Sequence, residues 1–248
     1  MSEFVRIDFN RPMPLFPLPD TVLLPHAVQP LHIFEDRYCE MVNHSLDSSG
    51  QIAMACFEGD QWRFDTPEIS GTPGTPENPG TRIPLPLRPI VCVGQIVQHE
   101  KLPLGQHNIL LHGVCRARIE QIIEPCENYS YRRGHLAPIE NSDDDAIPLD
   151  EVRDELRRLL RNPRLKRMRA SKSVAEWFDR EDVTTPALLE LIGSVLLHDG
   201  ELKYQLLSEP SVVVRADLIR NELLHLDEIV RQAEKQDHKS WPKGMSWN

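Results

Sequence analysis

The chain has 248 residues, with 28 Lys and Arg against 38 Asp and Glu, and a formal net charge of −10 that disfavours a generic polyanion binder. Hydrophobic residues at 40% and charged residues at 27% describe a soluble globular protein with enough chain for one large domain or two small ones, which excludes a short disulfide-stapled module.

Residues 1–14 carry Glu3, Arg6, Asp8 and Arg11 at short intervals and so lack the apolar core of a secretory signal. No apolar run approaches the roughly 20 residues that cross a bilayer, so a cytoplasmic protein without a membrane span is expected. Prolines every few positions forbid a helix over 14–34 and predict extended chain. From Glu35 to Leu46, Tyr38, Met41, Val42 and Ser45 or Leu46 recur at helical spacing behind the acids Glu35 and Asp36, which predicts a first helix. Ile52 to Phe57 reads as a strand. The stretch 58–89, rich in Pro, Gly and Thr, reads as a long surface loop.

Val91 to Gln98 and Asn108 to Ile119, joined by the turn chemistry of Leu102-Pro103-Leu104-Gly105-Gln106, predict a β-hairpin, with further strand candidates at Ile122-Ile123 and Tyr129 to Ile139. Asn141 to Asp145 reads as an acidic linker, after which the period becomes helical: Val152, Leu156, Leu159 and Leu160 mark one helix and Ser171 to Phe178 a shorter one. Thr184 and Thr185 before Pro186 give an N-terminal signature, followed by the stripe Leu188, Leu191, Ile192, Val195, Leu196 and the stop Asp199-Gly200. Leu202 to Ser208 and Ser211 to Gln236 predict two more helices. The plan is α+β, with a β-rich part over 12–145, a helical part over 146–236 and a frayed tail over 237–248.

No G-x-x-x-x-G-K-[ST], G-x-G-x-x-G, H-E-x-x-H, G-x-S-x-G or C-x-x-C run occurs, so P-loop, dinucleotide, zincin, elbow-hydrolase and zinc-ribbon chemistry lack their local signatures. Cys39, Cys56, Cys92, Cys115 and Cys126 sit in apolar or strand-like surroundings and read as reduced core thiols rather than nucleophiles. No catalytic, cofactor-binding or metal-ligating set is assigned. One local charge reversal stands out, with Arg153, Arg157, Arg158, Arg161, Arg164, Lys166, Arg167 and Arg169 crowded together. It suits either a solvated helix face paired with nearby acids or an RNA contact, and the absence of interleaved aromatics favours the former.

Three stretches carry a family resemblance: Leu15-Phe16-Pro17-Leu18-Pro19-Asp20-Thr21-Val22-Leu23-Leu24-Pro25, then Pro30-Leu31-His32-Ile33-Phe34-Glu35-Asp36-Arg37-Tyr38, then Val93-Gly94-Gln95-Ile96. With the turn Leu102-Pro103-Leu104-Gly105 and the strand Gly113-Val114-Cys115-Arg116-Ala117-Arg118-Ile119, the sequence resembles the N-terminal substrate-binding domain of Lon proteases, especially its small stand-alone members. The resemblance implies a PUA-like β-barrel followed by an α-helical bundle, without ATPase or peptidase parts. It further implies recognition of unfolded or client polypeptides, in concert with a separate ATP-dependent protease, in protein quality control or regulated proteolysis. Two departures from the family pattern are the length of 58–89 and His26, where a glycine is common.

The motif residues Pro17, Pro25, Pro30, Phe34, Glu35, Arg37, Tyr38, Gly94, Gly113, Arg116 and Arg118 are expected to be structural. Pro25 and Pro30 suit edge positions where a ladder donor is not needed. Glu35, Arg37, Arg116 and Arg118 are charges in segments otherwise built for burial, so mutual ion pairing is expected. Capture of a polypeptide needs exposed apolar area, for which Trp62, Phe64, Leu85 and Leu87 beside the long loop are candidates; the alternative is that they close the barrel.

Overall fold

A computed structural model describes residues 6–59, 85–139, 149–167, 169–180 and 182–235. In chain order the elements are β1 (Met13–Leu18), β2 (Val28–Ile33), α1 (Asp36–Leu46), β3 (Gln51–Cys56), β4 (Ile90–Lys101), β5 (His107–Ile123), β6 (Arg133–Pro138), α2 (Asp150–Leu160), α3 (Arg169–Phe178), α4 (Thr185–Leu196), α5 (Gly200–Ser208) and α6 (Val212–Lys235). They fall into two compact units, one of Met1–Ser142 with His198–Pro210, the other of Asp143–Leu197 with Ser211–Asn248.

In the first unit five strands close on themselves. β1 runs parallel to β3 with Leu15 opposite Ala53, and β3 is antiparallel to β4 with Ala53 opposite Val93. β4 then pairs with β5, β5 with β6, and β6 returns to β1 with Gly134 opposite Met13. The barrel interior holds Leu15 with Ala53, Ala55, Val91, Val93 and Ala117, mostly small or β-branched side chains that fit a narrow ring. β5 is long enough to serve twice. Its second half closes the barrel, while its first half pairs with β2, from His112 opposite Val28 to His107 opposite Ile33. Bulges between Val93 and Gly94, Ile96 and Gln98, and Ile119 and Gln121 bend these long strands.

The outer faces of β1 and β3 are buried as well. Phe16 meets Tyr38 of α1 edge-to-face, with ring centroids 4.8 Å apart, and Ile52 and Met54 are buried beside them. α1 buries Tyr38, Met41, Val42 and Ser45, the spacing legible in the sequence, and the Ser45 hydroxyl donates back to the Met41 carbonyl at 2.8 Å. The sequence grouped α5 with the helical part, whereas here it folds onto β4. Its Tyr204 hydroxyl accepts from the Ile90 amide at 3.0 Å, and Tyr204, Leu206 and Leu207 are buried.

The second unit contains α2, α3, α4 and α6, with Leu156, Leu160, Phe178, Leu188, Ile192 and Ile219 in its core. α4 begins as the sequence predicts: Thr184 is its N-cap, the side chain accepts from the Ala187 amide at 3.4 Å, and Pro186 lies in the first turn. Inside this apolar core Glu190 of α4 and Arg215 of α6 form an ion pair at 3.0 Å with both side chains almost fully buried.

Candidate functional site

β2, the first half of β5 and the outer half of β4 form a three-stranded wing beyond the barrel. Residues alternate between its faces. One face buries Ile33, His107, Ile109 and Leu111, and the other exposes Pro30 and His32. Large apolar groups stay in solvent here: Val28 is 51%, Phe34 61%, Val97 56% and Leu104 95% exposed. Phe34 stacks on His32 at 6.0 Å, and His32 Nδ1 lies 2.9 Å from Asn108 Oδ1, whose amide nitrogen donates to Glu100 at 3.0 Å. A polar chain thus crosses all three strands beneath Phe34. Leu104 occupies the tip of the β4–β5 hairpin within the tight turn Pro103–Gly105, at a left-handed φ of 61° that disfavours a branched side chain. An apolar group held in strain and in water serves no packing purpose.

The outer edge of β2 is blunted. Pro30 has no amide to offer a further strand, and its carbonyl accepts from the Gln29 side chain at 3.3 Å. Addition of a further strand at this edge is therefore disfavoured.

A cavity of about 660 Å³ lies beside the start of α5, lined in part by Asp20, Thr21, Cys56, Arg88, Asp199 and Glu201. Arg88 is bound to both Glu201 oxygens at 2.9 Å and lies over the Tyr204 ring at 3.7 Å from its centroid. That pairing holds the Glu201 carboxyl below the usual range. Burial pushes the Cys56 thiol up to about 11, so it is protonated at neutral pH and a poor nucleophile. Among the described residues no group of three or more His, Cys, Asp or Glu could hold a metal ion.

Several expectations change. Trp62 and Phe64 lie outside the described residues. Leu87 is 8% exposed and packs in the barrel core, opposite Phe57 across an antiparallel bridge, so it does not belong to a surface patch. Leu85 is half-buried, its carbonyl accepting from Arg132 at 2.7 Å. Glu35 pairs with Arg37 at 2.7 Å on the surface, whereas Arg116 is buried and donates to the carbonyls of Leu207 at 3.0 Å and Leu206 at 3.4 Å. Arg118 is exposed on β5. The expected charge network across helix and hairpin is thus replaced by a surface pair and a helix anchor.

Gly113 is structural for a different reason: a Cβ there would meet the Leu24 carbonyl oxygen at 2.1 Å. The backbones of Gly113 and of residues 26 and 27 exchange hydrogen bonds of 2.8 Å at this close approach. Phe34, grouped with the structural residues by its motif, instead sits on the surface. The wing's other exposed residues were missed, although a leucine between Pro103 and Gly105 in a turn was a readable sign.

The basic stretch is largely engaged within its own unit. Arg153 donates to the carbonyls of Val183, Phe178 and Arg180 at 2.8 to 3.2 Å, and Arg157 to that of Phe178 at 2.8 Å, closing the C-terminal end of α3. Arg164 pairs with Asp227 and Glu234, both at 3.2 Å, and Arg161 with Asp179 at 3.8 Å.

Comparison with known proteins agrees with this architecture. Residues 12–225 match the family model of the ATP-dependent protease La (LON) substrate-binding domain. Lon protease 1 of Syntrophobacter fumaroxidans is 26% identical over 145 residues, which is 58% of this chain but only 15% of that protease. The N-terminal domain of the Mycobacterium avium complex Lon protease superposes with a TM-score of 0.58 at 18% identity, covering 88% of this chain and 98% of that one. A Lon N-terminal domain protein from Xanthomonas campestris gives a TM-score of 0.53 at 19% identity, covering 87% and 98%. The matched parts are the Lon N-terminal domain, and among the described residues no helix is long and apolar enough to cross a membrane. With its closed barrel, its added wing and a family match across most of its length, this chain belongs to the Lon substrate-binding domain family.

Proposed function

We propose that this protein is a non-catalytic polypeptide-recognition module that binds unfolded client chains in the cytoplasm and delivers them to a separate ATP-dependent protease. The observation that carries the reading is the family match over 12–225. The exposed apolar residues of the wing, Phe34 and Leu104 foremost, supply surface suited to it, because a disordered chain is captured by burying its apolar side chains. Leu85 is kept as a further candidate client contact, as are Trp62 and Phe64 on their sequence alone; Leu87 is not.

Fluorescence anisotropy with a labelled, permanently unfolded polypeptide and a labelled RNA hairpin, at low and high salt, tests this. Salt-tolerant polypeptide binding that weakens about tenfold in a Phe34→Ser, Leu104→Ser double variant is expected, a loss of ~1.4 kcal/mol for two exposed apolar groups that a bound client covers in part. RNA binding that collapses with salt, with none to polypeptide, would overturn the reading. The RNA alternative is disfavoured because Arg153 and Arg157 are bonded to carbonyls of their own unit.

A further inference from the structure

His99 of β4 and His107 of β5 meet diagonally across the hairpin stem just below the Pro103–Gly105 turn. Nε2 of His99 lies 2.8 Å from Nδ1 of His107, and the ring centroids are 5.0 Å apart. His99 is exposed while His107 is fully buried. The remaining ring nitrogen of His107, Nε2, has no hydrogen-bond partner among the described residues.

In an N–H···N contact one ring donates and the other accepts. The pair keeps its bond with no added proton, or with one added proton placed on the outward Nδ1 of His99. Two added protons would set two N–H groups against each other across 2.8 Å. No acidic residue is a ladder partner of His107 to offset a charge there. Lys101 stands opposite it on β4 and uncharged Ile33 opposite it on β2, while Glu100, one residue along on β4, is engaged by Asn108. Burial first, then the charges of His99 and Lys101, holds the His107 imidazole below its usual range.

We propose that the His99–His107 pair is an acid-sensitive latch on the β4–β5 hairpin, closed while it carries at most one added proton and opened when both rings are charged. His107 is the terminal ladder partner of both Lys101 and Ile33, so opening frees the hairpin tip with Leu104 and the end of β2 together. In the open hairpin the His107 imidazole is free to charge at its ordinary value of about 6.5, so the open form takes up one proton more than the closed form as the pH falls below that value. Well below that value one proton of linkage moves the equilibrium about tenfold per pH unit, and across the first unit about fivefold.

Amide hydrogen exchange by NMR tests the latch without any client. Protection of Lys101 and His107, corrected for intrinsic exchange and taken relative to Ala53 and Ala55 in the barrel, should fall about fivefold from about pH 6.5 to about pH 5.5 and stay level in His107→Gln. A level ratio in the wild-type protein overturns the proposal, as does an equal fall in the variant. Imidazole resonances of the wild-type protein give a second reading that needs no variant. The latch requires His107 to accept its proton well below the ordinary imidazole value as pH falls, and a His107 titration at the ordinary value would overturn it.

Discussion

The guanidinium of Arg116, on β5, donates to the carbonyl oxygen of Leu207, in the last turn of α5, at 3.0 Å across 91 residues of sequence. Carbonyls at a helix C-terminus have no partner within the helix, and a buried arginine supplies one here with a favourable charge. Arg116→Ala should therefore cost about 3 kcal/mol, since it leaves buried carbonyls without their donor. Arg116→Lys, which lacks the fork, should recover less than half of that loss. Urea unfolding curves measure both, and an unchanged midpoint for Arg116→Ala would refute the anchor.

Gly113 and His26 face one another at the close approach of two backbones. Gly113→Ala places a methyl against the Leu24 carbonyl, and backbone cannot yield as a side chain can, so a loss of about 3 kcal/mol is expected. His26 has a φ of 63°, a region that glycine visits freely. His26→Val should lower stability by ~1–2 kcal/mol, while His26→Gly should hold or raise the melting temperature. The reverse order of the two His26 variants would show that the backbone angle is not what matters at this turn.

Glu190 and Arg215 bury opposite charges in the helical unit. Either Glu190→Leu or Arg215→Met alone strands a charge and should cost ~3–5 kcal/mol, whereas the double replacement should lie within about 1 kcal/mol of the wild type. A double-mutant cycle in guanidinium measures the coupling.

Thiol labelling separates the cysteines. Cys126 is exposed and should react with a disulfide reagent at mildly alkaline pH, while Cys56, with its thiol pushed up to about 11, and buried Cys92 should react only on unfolding. Tyr131 gives the alkaline limit. Burial and then Tyr129 raise its phenol to about 12, and His44 Nδ1 lies 3.0 Å from its hydroxyl. Above about pH 10 the unfolded chain loses this proton while the folded one keeps it, so stability present below that pH declines toward 12. Tyr131→Phe should flatten that limb in a series of thermal melts.

Local signals were legible and distant ones were not. α4 was plain from Thr184, Pro186 and the leucine stripe, because capping and periodicity are properties of a dozen neighbouring residues. The hairpin of β4 and β5 was plain from alternation and turn chemistry. The position of α5 was hidden, since Leu202 to Ser208 reads as a helix wherever it docks and its contacts with Ile90 and Arg116 lie about a hundred residues back. Leu87 and Phe34 were exchanged for the same reason: both are apolar residues beside a turn, and only the closed barrel decides that one fills it while the other faces water. The arginines of α2 were read as a charged face, but carbonyl partners from the end of α3 leave no trace in composition.

The sheet-bearing unit takes its last helix from residues 198–210, after the chain has already laid down α2, α3 and α4. During synthesis the barrel strands leave the ribosome first, yet Ile90 and Arg116 wait for Tyr204 and Leu207 to be translated before their polar groups are met. Until then the faces of β4 and β5 that α5 will cover stay open to solvent, and a chain cut before α5 leaves the barrel without its covering helix.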